Sequence, residues 1–431
     1  MPAGRSWGGY PAARQRIVRI ERRDAPLPVT PEPILAYGNG RSYGDACLND
    51  GGVLLHTRGL DRFIAFDAQR GILRCEAGVL LSEILDFALT RGWILPVLPG
   101  TQFVTVGGAI ANDVHGKNHH RVGSFGEHVL RFELLRSDGS RRECSRLENA
   151  DWFRATLAGL GLTGLVTWAE LQLQPSVGPW VGAQALPFRG VAAFLDLSRE
   201  SEITHEHVVA WIDCGSGRGA GRGLLQRANP LQNTASPTRR KRWSVPLTPP
   251  LSLVNRLSVR LFNNVYYALG ARTAAPRRQD YRDFLFPLDA VENWNRIYGP
   301  RGFLQFQCVV PEAAAQDTLD AIIRRVSESG SASFVAVLKR MGDRPASGML
   351  SFPRAGVTLA VDFPMQGAPT LRLLDALGEL VADVGGALYP AKDACMRPAH
   401  FQQAFPNWAA MGAYLDPRFS SSFWRRVTET A

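Results

Sequence analysis

The segment AYGNGRSYGD, residues 36–45, has the residue types that bind a phosphate group through backbone amides. Its glycines at positions 38, 40 and 44 permit positive φ angles and a close approach of the backbone to a ligand. Consecutive N–H groups in such a turn can cradle a pyrophosphate. The segment lacks the strand–GxGxxG–helix unit of a Rossmann fold and the Lys-Ser/Thr of a Walker A loop. Taken alone, it fits a tight turn equally well.

A second stretch, PGTQFVTVGGAIANDVHGKNHHRVGSFGEH at 99–128, has two clusters of small residues, Thr105–Gly108 and Ala111–Gly116. A cofactor can pack against such a backbone because few side chains intervene, and Ser, Thr and Asn supply polar contacts. The two glycine-rich stretches are about 55 residues apart. Together they indicate a cofactor site more specifically than either does alone.

Alternating strands and helices must position these stretches within the first 175 or so residues. The residue patterns predict strands at 51–57, 63–67, 72–78 and 162–175, a strand and turn at 129–140, and helices at 80–92 and 150–159.

Residues 176–385 have a different composition. We expect strands at 203–213, 303–311, 332–340 and 356–364, and helices at 312–329 and 370–384. This order predicts an antiparallel sheet with helices on one face, and an α+β fold overall. The Gly-, Pro- and Arg-rich stretch 215–250, which includes TRRKRW at 238–243, is typical of an irregular, mobile loop.

Composition limits the class of protein. With 431 residues, two lobes are expected, and the net charge of +10 favours phosphate-bearing ligands, acidic lipid surfaces or nucleic acid. A nucleic-acid-binding protein is the weaker alternative, because no helix has a dense basic face. There is no apolar run of membrane-spanning length and no apolar signal region, which favours a cytoplasmic enzyme. Six scattered cysteines without a CxxC pair predict no metal site.

The motifs resemble the PCMH-type FAD-binding domain of the vanillyl-alcohol-oxidase superfamily and, more narrowly, the decaprenylphosphoryl-ribose 2′-oxidase family. The resemblance runs in order over nearly the whole chain through GRSYGD, TVGGAIANDVHGKNHH, GSFGEHV, GLTGLV, WNRIYGPRGFLQFQ, LSFPRAGVTLAVDFP and YPAKD. It implies a PCMH-type FAD domain at 1–178, a substrate domain at 179–385 with an antiparallel sheet covered by helices, and a C-terminal segment at 386–431 that returns to the FAD domain.

The resemblance implies a non-covalently bound FAD. Relatives with a histidyl–flavin link often have histidine in the first glycine-rich turn, where this chain has Arg41. His115 is the remaining candidate for a link, but the family uses that position for contacts only. The residues that the resemblance assigns to FAD are Tyr37, Gly38, Asn39, Gly40, Arg41, Ser42, Tyr43, Gly44, Asp45, Gly100, Thr101, Thr105, Val106, Gly107, Gly108, Asn112, His115, Gly116, Val166, Tyr389 and Lys392.

The implied reaction is oxidation of the 2′-hydroxyl of a polyprenyl-phosphoryl pentose, with hydride transfer to the flavin. Lys392, His115 and Tyr43 are the catalytic candidates, and which residue accepts the proton is left open. The sugar-site candidates are Lys117, Trp211, Arg296, Gln305, Gln307 and Lys339. A partner keto-reductase would complete a 2′-epimerisation, as in the arabinose branch of cell-wall biosynthesis, and oxygen or a quinone would reoxidise the flavin.

Three departures from mycobacterial members of the family concern the substrate. Ala360 replaces a cysteine, Thr358 an asparagine and Leu285 a tyrosine, and loss of the thiol should remove sensitivity to inhibitors that attack it. An FAD-dependent oxidase of a free sugar, alditol or aldonolactone is the alternative. The basic segment at 239–243 is a candidate for contact with an anionic inner-membrane surface, which would make the enzyme peripheral.

Overall fold

The computed structural model of the protein describes residues 3–215, 221–232, 242–272, 275–331 and 333–428. The strands of the N-terminal part are β1 (Arg16–Arg19), β2 (Ile34–Tyr37), β3 (Val53–His56), β4 (Phe63–Asp67), β5 (Ile72–Glu76), β6 (Trp93–Ile94), β7 (Val129–Leu135), β8 (Arg141–Ser145), β9 (Leu165–Gln172) and β10 (Gln174–Pro175).

The later strands are β11 (Trp180–Arg189), β12 (His207–Ile212), β13 (Arg222–Leu231), β14 (Trp243–Ser244), β15 (Arg277–Asp280), β16 (Val291–Glu292), β17 (Phe303–Val310), β18 (Ala336–Met341), β19 (Gly356–Pro364) and β20 (Ala387–Leu388). The helices are α1 (Leu81–Leu89), α2 (Val106–Ala111), α3 (His119–Val122), α4 (Ala150–Thr156), α5 (Gly190–Thr204), α6 (Arg256–Ala271), α7 (Tyr281–Leu285), α8 (Glu312–Ser329), α9 (Ala368–Ala382), α10 (Pro398–Ala404) and α11 (Ser422–Thr428).

Two sheets form the N-terminal part of the molecule. Strands β1, β3 and β2 pair in parallel, and β4, β5, β9, β7 and β8 form an antiparallel sheet in that order. Strands β4, β5 and β9 and helices α1 and α4 form within the segments where the sequence predicts them. Leu73, Ile84 and Phe132 belong to the core that joins this sheet to α1 and α2.

The second part of the molecule is built on an eight-stranded antiparallel sheet. Its strand order is β15, β11, β13, β12, β18, β19, β17 and β20. Helices α5, α8 and α9 cover one face of it, where Phe194, Leu319 and Leu377 pack against Leu338 and Leu359. This confirms the α+β fold with an antiparallel sheet covered by helices.

Two details correct the sequence analysis. The composition of 215–250 predicts an irregular loop, but residues 222–231 within it form β13, which pairs with β11 and β12. The sequence on either side of this strand is rich in glycine and arginine, so the composition of the whole stretch does not reveal the apolar residues within it. In addition, α6 packs on the opposite face of the sheet from α5, α8 and α9, through Tyr266 against Trp211. Apart from Arg242 and Trp243, the proposed membrane-contact segment at 238–243 lies outside the described residues.

Alternation along the strands explains why one sheet face is apolar and the other lines a cavity. Successive side chains of a strand point to opposite faces. In β17, Leu304 and Phe306 join the helix-covered core, whereas Gln305 and Gln307 face the cavity. Strand β18 repeats this pattern with Leu338 in the core and Lys339 at the cavity. The sheet therefore supplies the polar wall of a site.

Candidate active site

One cavity of about 890 Å³ extends between the glycine-rich stretches and the open face of the eight-stranded sheet. This volume is near the upper end of the range for ligand pockets, about 300–1,000 Å³. One end is lined by backbone and small side chains, and the other by polar, basic and aromatic side chains of the sheet and α6. The cavity thus has room for a dinucleotide beside a small substrate.

The first glycine-rich stretch follows β2 and turns sharply at Gly40, whose φ is +61°. A Cβ atom at Gly40 would collide with the Tyr37 hydroxyl and the Arg5 carbonyl, so only glycine fits this position. Within the described residues, the backbone N–H groups of Asn39, Gly40, Arg41 and Ser42 donate to no protein acceptor. These residues line the cavity, where their N–H groups are available to a phosphate.

The second glycine-rich stretch packs directly against the first. The Asn39 side-chain amide donates to the Phe103 carbonyl at 2.8 Å, and a Cβ at Gly38 would overlap the Thr105 hydroxyl. The Thr105 side chain caps α2 by accepting from the Gly108 N–H at 3.1 Å. The pairing of the two stretches therefore depends on the absence of a side chain at Gly38.

The cavity has open space beside the backbone of Gly100. A Cβ there would meet no protein atom within 4 Å, although Gly100 lines the cavity. Unoccupied space beside glycine backbone and unpaired amide donors together match the needs of a dinucleotide with a planar ring system. The residues present therefore fit FAD.

His115 lies at the centre of the cavity wall with both ring nitrogens engaged. Lys339 Nζ is 2.8 Å from Nδ1, and the Gln307 side-chain amide is 3.1 Å from Nε2. Burial, and then the positive charge of Lys339, hold the pKa of His115 well below its ordinary value, so the ring is neutral. Lys339 Nζ and the Gln307 amide nitrogen both carry N–H groups, so the tautomer of His115 decides which of its ring nitrogens accepts a hydrogen bond.

Lys339 and a second lysine at the cavity wall, Lys117, each donate a hydrogen bond to a backbone carbonyl oxygen. Lys339 Nζ donates to the Gly116 carbonyl at 2.7 Å, and Lys117 Nζ donates to the Phe284 carbonyl. Burial lowers the pKa of Lys339 and of Lys117 to about 7. An anionic ligand in the cavity would offset the cost of burying these charges, which makes this end of the cavity suitable for a phosphate.

Lys392, which is partly exposed to the cavity, and Asp362 form a second pair of titratable groups. Lys392 Nζ lies over the Tyr43 ring, 3.5 Å from its centroid. Burial lowers the pKa of Lys392 and raises that of Asp362, while the attraction between the two opposes both shifts. Asp362 is fully buried and accepts hydrogen bonds from the Gln305 amide and the Tyr298 hydroxyl. The pair thus places a lysine with a lowered pKa at the cavity wall.

The aromatic rings of Tyr389 and Phe352 pack against each other beside His115. Their rings stack with centroids 4.5 Å apart, and the Tyr389 hydroxyl donates to the Asn112 carbonyl at 3.0 Å. His115 lies 5.6 Å from the Tyr389 ring. This contact joins the C-terminal YPAKD motif to the second glycine-rich stretch.

The structure brings most of the residues expected at the site to this one cavity. Those that line it are Gly38, Asn39, Gly40, Arg41, Ser42, Tyr43, Gly100, Thr101, Thr105, Gly107, Gly108, Asn112, His115, Gly116, Lys117, Val166, Trp211, Gln305, Gln307, Lys339, Tyr389 and Lys392. The three positions that depart from mycobacterial relatives, Leu285, Thr358 and Ala360, line it as well.

Five expected residues lie off the cavity wall, and three of them support it from behind. The Tyr37 hydroxyl donates to the Arg5 carbonyl at 2.7 Å. Gly44 packs so closely on the Asp393 carbonyl that a Cβ would overlap it. Asp45 pairs with Arg426 at 2.8 Å. Their place in sequence next to cavity residues, rather than contact with a ligand, explains why the motif includes them.

The other two expected residues are also structural. Val106 is fully buried, and its N–H donates to the Val79 carbonyl at 2.9 Å. Arg296, assigned to the sugar site, donates instead to the Val245 and Pro246 carbonyls at 2.9 and 2.7 Å. The Arg296 side chain therefore braces the segment before α6 and does not reach the cavity.

The sequence analysis missed several residues that shape the site. Arg41 stacks on Trp7 at 4.2 Å, and the Asp289 carboxylate accepts from the Gln102 N–H at 2.9 Å. Asp289 follows Leu285 by four residues and Asp362 follows Ala360 by two, but the sequence analysis considered only Leu285 and Ala360. An acidic residue inside an apolar strand, as in VDFP, is the signal that could have identified Asp362.

Among the described residues, no group of three His, Cys, Asp or Glu side chains could hold a metal ion. No helix in the described part of the chain is both long enough and apolar enough to cross a membrane.

Comparison with known proteins agrees with this geometry. Residues 29–145 match the family model described as FAD binding domain. The chain is 35% identical to decaprenylphosphoryl-beta-D-ribose oxidase of Mycolicibacterium smegmatis over 416 residues, which covers 91% of this chain and 89% of that protein.

Two further relatives show how far the likeness extends. An uncharacterized protein of the mprA 5′ region of Streptomyces coelicolor is 33% identical over 375 residues, 81% of this chain and all of that protein. The mouse delta(24)-sterol reductase is 32% identical over 144 residues, 33% of this chain and 28% of that protein. The shorter match indicates a more distant relationship.

The fold, the glycine-lined cavity and the matched domain define an FAD-dependent oxidoreductase that acts on a hydroxyl group. The chain belongs to the decaprenylphosphoryl-β-D-ribose oxidase family.

Proposed function

We propose that this protein oxidises the 2′-hydroxyl of a polyprenyl-phosphoryl pentose, of the decaprenylphosphoryl-ribose type, to the 2′-keto sugar. One observation carries the proposal: Lys117 and Lys339, whose pKa values burial lowers to about 7, line the same cavity as the glycine-rich cradle. A phosphoryl group would offset the cost of charging these two lysines inside the cavity, which a neutral sugar or lactone would not do. The name of the Mycolicibacterium smegmatis relative supports the same substrate class.

The residues of the cavity divide naturally between cofactor and sugar. We assign FAD contacts to the cavity-lining residues of the two glycine-rich stretches together with Val166, Tyr389 and Lys392. The FAD is held without a covalent link, since both nitrogens of His115 are engaged by Lys339 and Gln307. The sugar contacts Trp211, Gln305 and Gln307, and its phosphate lies near Lys117 and Lys339.

Lys392 is the group that we assign as proton acceptor. The glycine-rich stretches would hold FAD, which would supply the hydride acceptor for C2′. The hydroxyl proton needs a base whose pKa is near the working pH, and burial lowers the pKa of Lys392 toward that range. His115 is a poorer base because burial and the positive charge of Lys339 hold its pKa well below its ordinary value. His115 instead orients Lys339 and Gln307 around the sugar.

The product chemistry implies two further participants. A 2′-keto sugar is the substrate of a reductase, and hydride addition to the opposite face would complete a 2′-epimerisation. Reoxidation of the flavin needs a two-electron acceptor, such as oxygen or a quinone.

The test compares substrates by turnover and by proton uptake. We expect turnover of polyprenyl-phosphoryl ribose to exceed that of free pentitols and aldonolactones by at least 100-fold. Phosphate binding raises the pKa of Lys117 and Lys339, so substrate binding at pH 8 should take up protons, measured by calorimetry in buffers of different ionisation enthalpy. Equal turnover of a free sugar, with no proton uptake on binding the phosphorylated one, would refute the proposal.

A further inference from the structure

Helix α6 has apolar side chains on two faces. Its inner face packs on the sheet through Val259, which is buried, and Tyr266, whose ring is 4.9 Å from that of Trp211. On the outer side, Leu257, Leu261 and Val265 follow one another at intervals of four residues, with 77%, 64% and 50% of their surfaces exposed. Residues at this spacing form one continuous stripe. We call these three side chains the α6 row.

Exposed apolar residues are concentrated around this row. Of the sixteen large apolar side chains exposed in the described residues, nine lie between positions 243 and 269. Trp243, Leu247 and Leu251, in the segment that leads into α6, are each more than three-quarters exposed. Scattered apolar residues on a surface need no explanation, but a contiguous patch marks an interaction surface.

The positive charge of this region indicates what kind of partner it binds. Residues 214–279 contain twelve Lys and Arg and no Asp or Glu. The rest of the chain has 37 basic and 39 acidic residues, so this stretch accounts for the whole positive charge of the protein. Arg256, Arg260 and Arg272 are exposed on or next to α6. Basic side chains flanking an exposed apolar face match an anionic lipid surface.

The α6 row is continuous with the mouth of the cavity. Phe262 follows Leu261, is 45% exposed, and also lines the cavity. Its ring stacks on Tyr266 with centroids 5.7 Å apart, and Tyr266 contacts Trp211 deeper in the cavity. An apolar path of aromatic rings therefore leads from the exposed face toward the sugar end of the site.

We propose that α6 and the preceding segment 243–253 dock on an anionic lipid bilayer. The α6 row enters the acyl boundary and the arginines contact the headgroups, so the cavity mouth opens onto the membrane. This deepens the proposed function, on which it rests for the lipid-linked substrate: the Phe262–Tyr266 path then holds the first isoprenoid units while the tail stays in the bilayer. A second copy of the chain fits this face poorly, because two copies of the same basic surface would repel each other.

The test uses the full-length holoenzyme and vesicles of equal parts phosphatidylglycerol and phosphatidylcholine. We expect wild type to float with these vesicles, much less with pure phosphatidylcholine, and less as salt rises. The triple variant Leu257→Gln, Leu261→Gln, Val265→Gln should partition at least tenfold more weakly. A matched control, Val29→Gln, Leu147→Gln, Ile203→Gln, changes three apolar residues outside this region that are at least as exposed, and it should bind like wild type.

Activity separates this proposal from the proposed function. On a water-soluble, short-chain phosphoryl ribose without vesicles, wild type and the α6 variant should turn over equally, whereas on vesicle-borne long-chain substrate the variant should lose at least tenfold. Equal vesicle partition of the α6 variant and wild type overturns docking and leaves the enzymatic assignment standing. A wild-type dimer in ultracentrifugation that the α6 variant converts to monomer, without loss of vesicle binding, also overturns it.

Discussion

At the scale of single residues, the proposed chemistry depends on Lys392 and the groups that set its charge. Its ammonium group lies 3.5 Å from the centroid of Tyr43, and Asp362 is the carboxyl whose charge opposes the effect of burial. A lysine in this setting exchanges protons near neutral pH, which an exposed lysine does not.

Replacement of Lys392 tests its role as a base. Lys392→Met should retain FAD, because the glycine-rich stretches hold the cofactor, and should lower kcat by about 10²–10⁴-fold. Lys392→Arg is the informative control, because arginine keeps the positive charge but does not deprotonate. If Lys392→Arg has near wild-type kcat in steady-state assays, the lysine supplies charge alone and our assignment is wrong.

Asp362 should act on the reaction only through Lys392. Asp362→Asn removes the negative charge that raises the Lys392 pKa while keeping an oxygen acceptor for Gln305. The Lys392 pKa then falls further, so neutral lysine persists at lower pH. The acidic limb of the kcat/KM profile should move down by about 1–3 pH units. A lower rate with an unchanged profile would indicate a purely structural role for Asp362.

Residue types and alternation predicted much of the site. The alternating FLQFQ sequence placed Gln305 and Gln307 on one face of a strand, and both line the cavity. Position within a motif could not separate Ser42, at the cavity wall, from Asp45, which pairs with Arg426. That distinction depends on a partner 381 residues away in sequence, which local pattern cannot reveal.

At the scale of elements, the two glycine-rich stretches act as one cradle because they pack on each other. Gly100→Val should separate folding from cofactor binding. Its Cβ meets no protein atom within 4 Å, so the fold should tolerate valine, while the side chain takes space in the cavity. We expect at least tenfold less FAD per purified protein, measured by absorbance.

The control for Gly100→Val is Gly412→Val, an exposed position where a Cβ also meets nothing and which does not line the cavity. It should keep its full FAD content. Full FAD in Gly100→Val would place the cofactor elsewhere.

Several strands and helices with a single period were predicted, whereas β11, α5 and α6 were not recognised. The strand expected at 203–213 begins only at His207, because α5 continues to Thr204. Helix α8 occupies Glu312–Ser329 and β19 occupies Gly356–Pro364, as the apolar spacing indicates. Helix α6 has apolar residues on both faces, because one face packs on the sheet and the other is exposed. A stripe of apolar residues opposite polar ones is nevertheless present in its sequence, and the sequence analysis overlooked it.

At the scale of the whole molecule, the C-terminal helix α11 joins the first glycine-rich stretch to the YPAKD motif. Arg426 of α11 pairs at 2.8 Å with both Asp45, next to the first glycine-rich turn, and Asp393, next to Lys392. Arg426→Met leaves two buried carboxylates without a counter-charge. The free energy of unfolding in urea should fall by about 3–5 kcal/mol.

Arg426→Lys, which keeps the charge but loses the bidentate geometry, should have an intermediate stability. If Arg426→Met unfolds at the wild-type urea concentration, the C-terminal contact contributes little to the stability of the fold.

The central claim is that FAD in the glycine-lined cavity takes a hydride from C2′ of a lipid-phosphoryl ribose. Anaerobic mixing of the holoenzyme with polyprenyl-phosphoryl ribose, followed by visible absorbance, tests it most directly. We predict that the flavin absorption bleaches in a single turnover, more slowly with deuterium at C2′, and not at all with the 2′-deoxy compound. Bleaching at equal rates with all three compounds, or with none, would contradict the account.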